Sequence, residues 1–137
     1  MAIHTVGIVV NRNFGDQLLE IARRIHVWVC DTPVNRPVVE RLSQMQQPGE
    51  WNEWGATVFR VSDDDSPEDM VIGVLSAVDR HHDEHSHDPP WSQIEIYGVE
   101  PTPRLREALQ EYGVDDFRET PGGFVCSRVL EELDLEE

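Results

Sequence analysis

The sequence predicts an α/β domain built on a largely parallel sheet. Three observations carry that expectation: short runs rich in β-branched residues, helix-period apolar spacing between them, and turn or cap residues at the junctions. This alternation is the signature of βα units, whose crossover helices cover the faces of a parallel sheet.

The first run, Thr5-Val-Gly-Ile-Val-Val10, shows no polar alternation, as a central strand covered on both faces would not. After Asn11, Arg12 and Asn13, the residues Leu18, Ile21, Ala22 and Ile25 keep the spacing of an amphipathic helix. A second strand, His26-Val-Trp-Val-Cys30, stops at Asp31-Thr-Pro33, with Trp28 expected in the core. Val38, Val39, Leu42 and Met45 then mark a helix begun near Asn35 and Pro37. A polar loop follows, in which Trp51 and Trp54 read either as interface anchors or as a lid on the core.

The third strand, Ala56 to Val61, runs into Ser62-Asp-Asp-Asp65. Ser66, Pro67 and Asp69 supply an N-cap, a proline at the first helical position and a capping-box acid. The helix they open is apolar around most of its circumference, from Met70 to Val78. A fourth strand, Gln93 to Tyr97, leads to Thr102 as N-cap, Pro103, and a face of Leu105, Ala108, Leu109 and Tyr112, with Gly113 ending the helix. Phe117 to Cys126 reads as a strand, a Pro-Gly-Gly turn and a return strand. The expected architecture is a three-layer αβα sandwich with strand order 2-1-3-4 and the hairpin at one edge. Residues 1–130 form its single domain and 131–137 an acidic tail. A ferredoxin-like plait fits less well, because a helix separates its second and third strands here.

The 137 residues suit one domain, and no apolar run reaches the length of a membrane span. The first ten residues lack the features of a secretory signal, so a cytoplasmic location is expected. Cys30 and Cys126 form no C-x-x-C and read as two buried thiols in a reducing compartment. Charge is lopsided: residues 1–62 hold six acids and six arginines, so residues 63–137 carry the whole formal charge of −16. That field opposes nucleic acid and suits a basic protein partner. The chain has no lysine, which excludes P-loop phosphate chemistry and Schiff-base catalysis.

Three groups of residues are candidates for a site. Arg12 and Arg36, each in a Val-Asn-Arg triplet after a strand, are expected at the carboxyl edge of the sheet. There two guanidiniums can clamp an anion, rimmed by Asp31 and Asp63. The opposing interpretation makes the asparagines turn residues and the arginines neutralisers of the acidic rim. The second group is His81, His82, His85 and His87; His81 and His85 share a helical face at i, i+4, a spacing suited to a divalent metal. Two further ligands would be needed, and imidazoles also complement a helix C-terminus. No other cofactor is expected.

The third group, Asp63-Asp-Asp65, resembles the acidic start of phosphotransfer folds such as haloacid-dehalogenase-like phosphatases and receiver domains. Here it follows the third strand rather than the first, and the lysine those families use is absent, so their activity is not carried over. No G-x-S-x-G, H-E-x-x-H or G-x-G-x-x-G is present. The leading expectation is therefore a non-enzymatic acidic protein that binds a basic protein partner, as an adaptor or an inhibitor of immunity type. The competing ones are a small enzyme or anion-binding domain at the carboxyl edge, and a metal-binding protein.

Overall fold

β1 (Thr5–Val9) is the strand on which the sheet is built: it pairs in parallel with β2 (His26–Cys30) on one side and β4 (Gln93–Tyr97) on the other. The computed structural model describes residues 5–12, 17–45, 56–62, 64–84 and 91–128. Within them β3 (Ala56–Phe59) pairs in parallel with β2, and the hairpin of β5 (Val114–Thr120) and β6 (Gly123–Arg128) joins antiparallel to β4 through β6. The chain is thus an α/β protein with a six-stranded mixed sheet of order β3-β2-β1-β4-β6-β5.

That order corrects the expected αβα sandwich of order 2-1-3-4. β3 lies beyond β2 at an edge, and β4 takes the place beside β1. Burial explains the exchange. Of the four residues of β3 only Ala56 is buried, whereas β4 sends Ile94 and Ile96 fully into the core. Each such isoleucine contributes about 1.5–3 kcal/mol. Glu95, between them, is tolerated in mid-sheet because α1 (Gln17–Arg24) reaches over to it: Arg24 Nη1 and Nη2 donate to its two oxygens, each at 2.9 Å. Tyr97 donates to Glu95 Oε1 at 2.6 Å.

The faces of the sheet enter two separate cores. Val9, Val27 and Val29 pack with Leu18 and Ala22 of α1 and Val38 of α2 (Arg36–Met45). Val6, Ile8, Ile94, Ile96, Phe124 and Cys126 pack with α3 (Pro67–Glu84) and α4 (Pro103–Glu111), through Val71, Val74, Leu75, Leu105 and Leu109. Trp28 is half-buried, edge-on to both His26 and Phe59, rather than fully enclosed.

Helix starts follow their capping residues. Ser66 Oγ accepts the Asp69 N–H at 3.2 Å ahead of Pro67, and Thr102 Oγ1 accepts the Leu105 N–H at 3.2 Å ahead of Pro103. Gly113, with φ of 92°, carries the chain out of α4 in the left-handed region. At the amino edge of the sheet Arg128 lies over the Trp91 ring, 3.6 Å from its centroid. It donates there to the carbonyls of Trp91 and Tyr112, each at 2.9 Å. No helix among the described residues is long and apolar enough to cross a membrane.

Candidate functional site

The strand order creates a parting of the chain at the carboxyl edge. From β1 it turns to α1 on one face, and from β4, the next strand, it turns to α4 on the other. Open α/β sheets bind ligands in the crevice that such a reversal leaves.

Asn35 fixes the side of this crevice nearest β2. Wholly buried, it donates through Nδ2 to the carbonyls of Val10 at 2.8 Å and Cys30 at 2.9 Å, and its Oδ1 accepts the Arg12 N–H at 3.0 Å. Thr32 adds a longer bond to the Val10 carbonyl at 3.4 Å. Two glycines then allow the chain after β1 to lie against β4 and the hairpin. A Cβ at Gly98 would stand 2.6 Å from the Asn11 nitrogen, and one at Gly122 would overlap the Arg12 guanidinium; both glycines have φ of 86°.

Beyond Gly98 opens a cleft of about 560 Å³. Its walls are the loop Gly98 to Thr102 after β4, the first residues of α3 (Pro67, Glu68), and the hairpin end at Glu119, Thr120, Gly122 and Gly123. Thr102 ties two of the walls together, donating to Glu68 Oε2 at 3.0 Å while capping α4. Outside the cleft, Arg104 Nη2 meets Asp69 Oδ1 at 2.8 Å across the same two helix starts. A backbone hydrogen bond at the start of α3, with the Thr102 hydroxyl, holds the Glu68 carboxyl below the ordinary range. The lining therefore holds three carboxylates, Glu68, Glu100 and Glu119, and among the described residues no arginine or histidine.

The residues expected to form a site are distributed differently. Asp31 and Arg36 meet at the end of β2, where Arg36 Nε stands 3.7 Å from Asp31 Oδ1, within ion-pair reach but too far for a hydrogen bond. That oxygen is buried and has no hydrogen-bond partner among the described residues. Arg12 instead lies against the hairpin turn at Gly122, so the two guanidiniums have different neighbours. None of Arg12, Asp31 or Arg36 lines the cleft. Asp63, His85 and His87 lie outside the described residues, as do Trp51 and Trp54; His81 and His82 are on the last turn of α3, with side chains outside the description. Among the described residues no group of three or more His, Cys, Asp or Glu is gathered to hold a metal.

Cys30 and Cys126 are free and fully buried, and burial pushes both thiols up to about 12. A thiolate nucleophile at neutral pH is thereby disfavoured at either position. Of the residues that shape the cleft, Thr102 and Gly122 stood out in the sequence only as a cap and a turn. Glu68, Glu100 and Glu119 carried no local signal, because isolated glutamates in an acidic chain look like solvated surface. Comparison with protein-family models, with curated proteins and with solved structures finds no match for this chain.

Proposed function

We propose that the chain is a non-enzymatic acidic binding protein that engages a basic protein partner, and that the cleft beyond β4 receives a cationic side chain of that partner. The supporting observation is the cleft lining, which among the described residues holds Glu68, Glu100 and Glu119 and no cation, while Arg104 acts on Glu68 from outside it and Arg12 lies against Gly122 at its wall. A guanidinium or ammonium entering it gains charge-assisted hydrogen bonds. An anion would meet three carboxylates, and the helix starts that usually attract anions already carry Ser66, Thr102 and the Glu68 and Asp69 carboxylates.

The surface points the same way. Among the described residues Val34 is the large apolar side chain left exposed, so the described surface favours recognition by charge. The formal charge of −16 supplies the long-range attraction. Buried free thiols suit a reducing compartment, and we place the protein in the cytoplasm.

The test is binding of an oligoarginine peptide, an oligoglutamate control, and capture from a native lysate, each at low and high salt. We expect salt-sensitive binding of the arginine peptide alone, weakened at least about tenfold by Glu100→Gln with Glu119→Gln. Equal binding of both peptides, or none of either together with no salt-sensitive protein in the lysate, overturns the proposal.

A further inference from the structure

We propose that β3 is a docking edge for a second copy of this chain, the two β3 strands pairing antiparallel about Val58 across a twofold axis so that the two sheets join as one. β3 closes the sheet at the end opposite the hairpin and is paired with β2 alone among the described residues. The direction of its outer groups follows from the ladder. The Asp31 N–H bonds to Phe59 O at 2.9 Å, and Phe59 stands opposite Cys30 in the parallel register. Phe59 and, two residues back, Thr57 therefore direct their backbone groups to β2. Ala56, Val58 and Arg60 turn their N–H and C=O outward.

The two ends of the sheet are finished differently. The β5 edge carries exposed charges of both signs at Asp115, Asp116, Arg118 and Glu119, and its register shifts between Val114 and Asp116, features that deter strand addition. β3 is Ala-Thr-Val-Phe in unbroken register with β2, without charge or proline, and its last three residues are half-buried. An edge of that kind is a template for pairing.

Charge favours a second copy as the occupant. A basic segment finds no acid on β3 and meets the exposed Arg60 directly after it, while an acidic segment is opposed by the formal charge of −16. In antiparallel pairing about Val58, Val58 faces its own counterpart, Thr57 faces Phe59 and Arg60 faces Ala56, so no like charges stand opposite one another. The antiparallel sense also sends the two acidic turns after β3, each with Asp64 and Asp65, to opposite ends of the junction. β1, β2 and β3 belong to residues 1–62, whose six acids and six arginines cancel, whereas β4, β6 and β5 belong to the acidic remainder. Joining at β3 therefore sets the neutral strands together and holds the acidic strands of both copies at the far ends. The pairing is closed by its twofold symmetry, and β3 contributes no residue to the cleft, so both clefts stay available.

Sedimentation of the full chain over a range of concentrations, at low and high salt, reads the association. So short a ladder makes a small interface, and we expect a reversible dimer with a dissociation constant between about 10 μM and 1 mM. Salt should strengthen it at least about threefold by screening the repulsion between the two acidic copies, the opposite of its effect on a basic partner. Amide exchange at Val58 and Arg60 is expected to slow at least about tenfold as the dimer comes to predominate. Arg60→Pro deletes an outward N–H on each copy while leaving the ladder to β2 intact, and should weaken the dimer at least about tenfold; Arg60→Ala keeps that N–H and should stay within about threefold of the parent. If Arg60→Pro fails to fold, the exchange of the parent decides alone. A chain that stays monomeric at both salts overturns the proposal, as does a dimer whose Val58 and Arg60 amides exchange at the monomer's rate. Protection of those amides in the monomer would show the edge to be covered by the chain itself, and equal affinity of the two variants, or association weakened by salt, would place the contact elsewhere; each overturns it.

Discussion

Asn35 Oδ1 accepts the backbone N–H of Arg12 at 3.0 Å, and the same side-chain amide donates to the carbonyls of Val10, just after β1, and Cys30, the last residue of β2. One buried amide thus sets the depth at which the chain leaves both strands. Asn35→Ala removes three hydrogen bonds made by a buried side chain, and we expect a loss of about 2–4 kcal/mol in chemical denaturation. Asn35→Asp keeps the shape but turns a carboxylate toward two carbonyls. It should cost at least as much at neutral pH and recover part of the loss in acid, where the protonated form can donate one bond again. A loss within experimental error for both variants would show that the strand ends hold without the amide.

Arg128 plays the matching part at the opposite edge, half-buried over Trp91 and donating to two carbonyls on different elements. Burial lowers its pKa, an effect that nearby Asp79 opposes. Lysine can reach one carbonyl but not both, and it stacks less well. Arg128→Lys is expected to cost about 1–2 kcal/mol and Arg128→Met about 2–3 kcal/mol, because the second leaves the Trp91 and Tyr112 carbonyls without this donor. Equal costs for the two would show that the ring contact, not the fork of donors, carries the effect.

The elements were legible in the sequence and their neighbours were not. β2 and β4 begin and end where the apolar runs do, and α3 and α4 open at Ser66-Pro67 and Thr102-Pro103, because capping and periodicity are local physics. Strand order is decided by long-range burial. The run Ala56 to Val61 looks as suited to lie beside β1 as Gln93 to Tyr97 does, and the polar Glu95 speaks against the latter. Glu95 becomes acceptable in mid-sheet only through Arg24, a residue 71 positions away. The site was displaced for the same reason. With β4 rather than β3 beside β1, the crevice opens between Gly98 and the hairpin, away from the Asp31–Arg36 pair, and glutamates from three distant segments meet in it.

The Arg24–Glu95–Tyr97 group should leave a mark on the pH dependence of stability. The bidentate Arg24 contact, helped by Tyr97, holds the Glu95 carboxyl below its ordinary value. A carboxyl depressed on folding contributes its full stability above the unfolded value of about 4.3 and loses it as pH falls through the folded value. Glu95→Gln is expected to cost about 1 kcal/mol at neutral pH, the partner arginine being half-exposed, and to flatten the acid limb of the stability curve. Tyr97 is pushed up to about 12 by burial and by Glu95. Its contribution is complete below the unfolded value of about 10 and is lost as pH rises through 12, so Tyr97→Phe should flatten the alkaline limb. Urea titrations across both ranges read these slopes directly.

The thiols give a kinetic test. Cys30 and Cys126 are fully buried, with both pKa values pushed up to about 12, so native protein should react with a thiol reagent far more slowly than denatured protein. Both should become reactive together on unfolding. Fast labelling of either one in the native state would indicate local opening of its strand, and would return Cys30 to consideration as a nucleophile.

Gly122 tests whether the end of β1 and the hairpin are energetically joined. Its φ of 86° is a conformation an alanine resists, which alone costs about 1 kcal/mol. The added Cβ would also overlap the Arg12 guanidinium, the far end of a flexible side chain, which has to move aside. Gly122→Ala is therefore expected to cost about 1–2 kcal/mol in the native sequence, and only the backbone part in an Arg12→Ala background. The difference between the two, read as a double-mutant cycle, measures how strongly the guanidinium is held against the turn when the added Cβ displaces it. An identical cost in both backgrounds would mean that Arg12 swings away freely and that the β1 loop and the hairpin are neighbours without coupling. A smaller cost without Arg12 would make that arginine the tie holding the hairpin wall of the cleft against the end of β1.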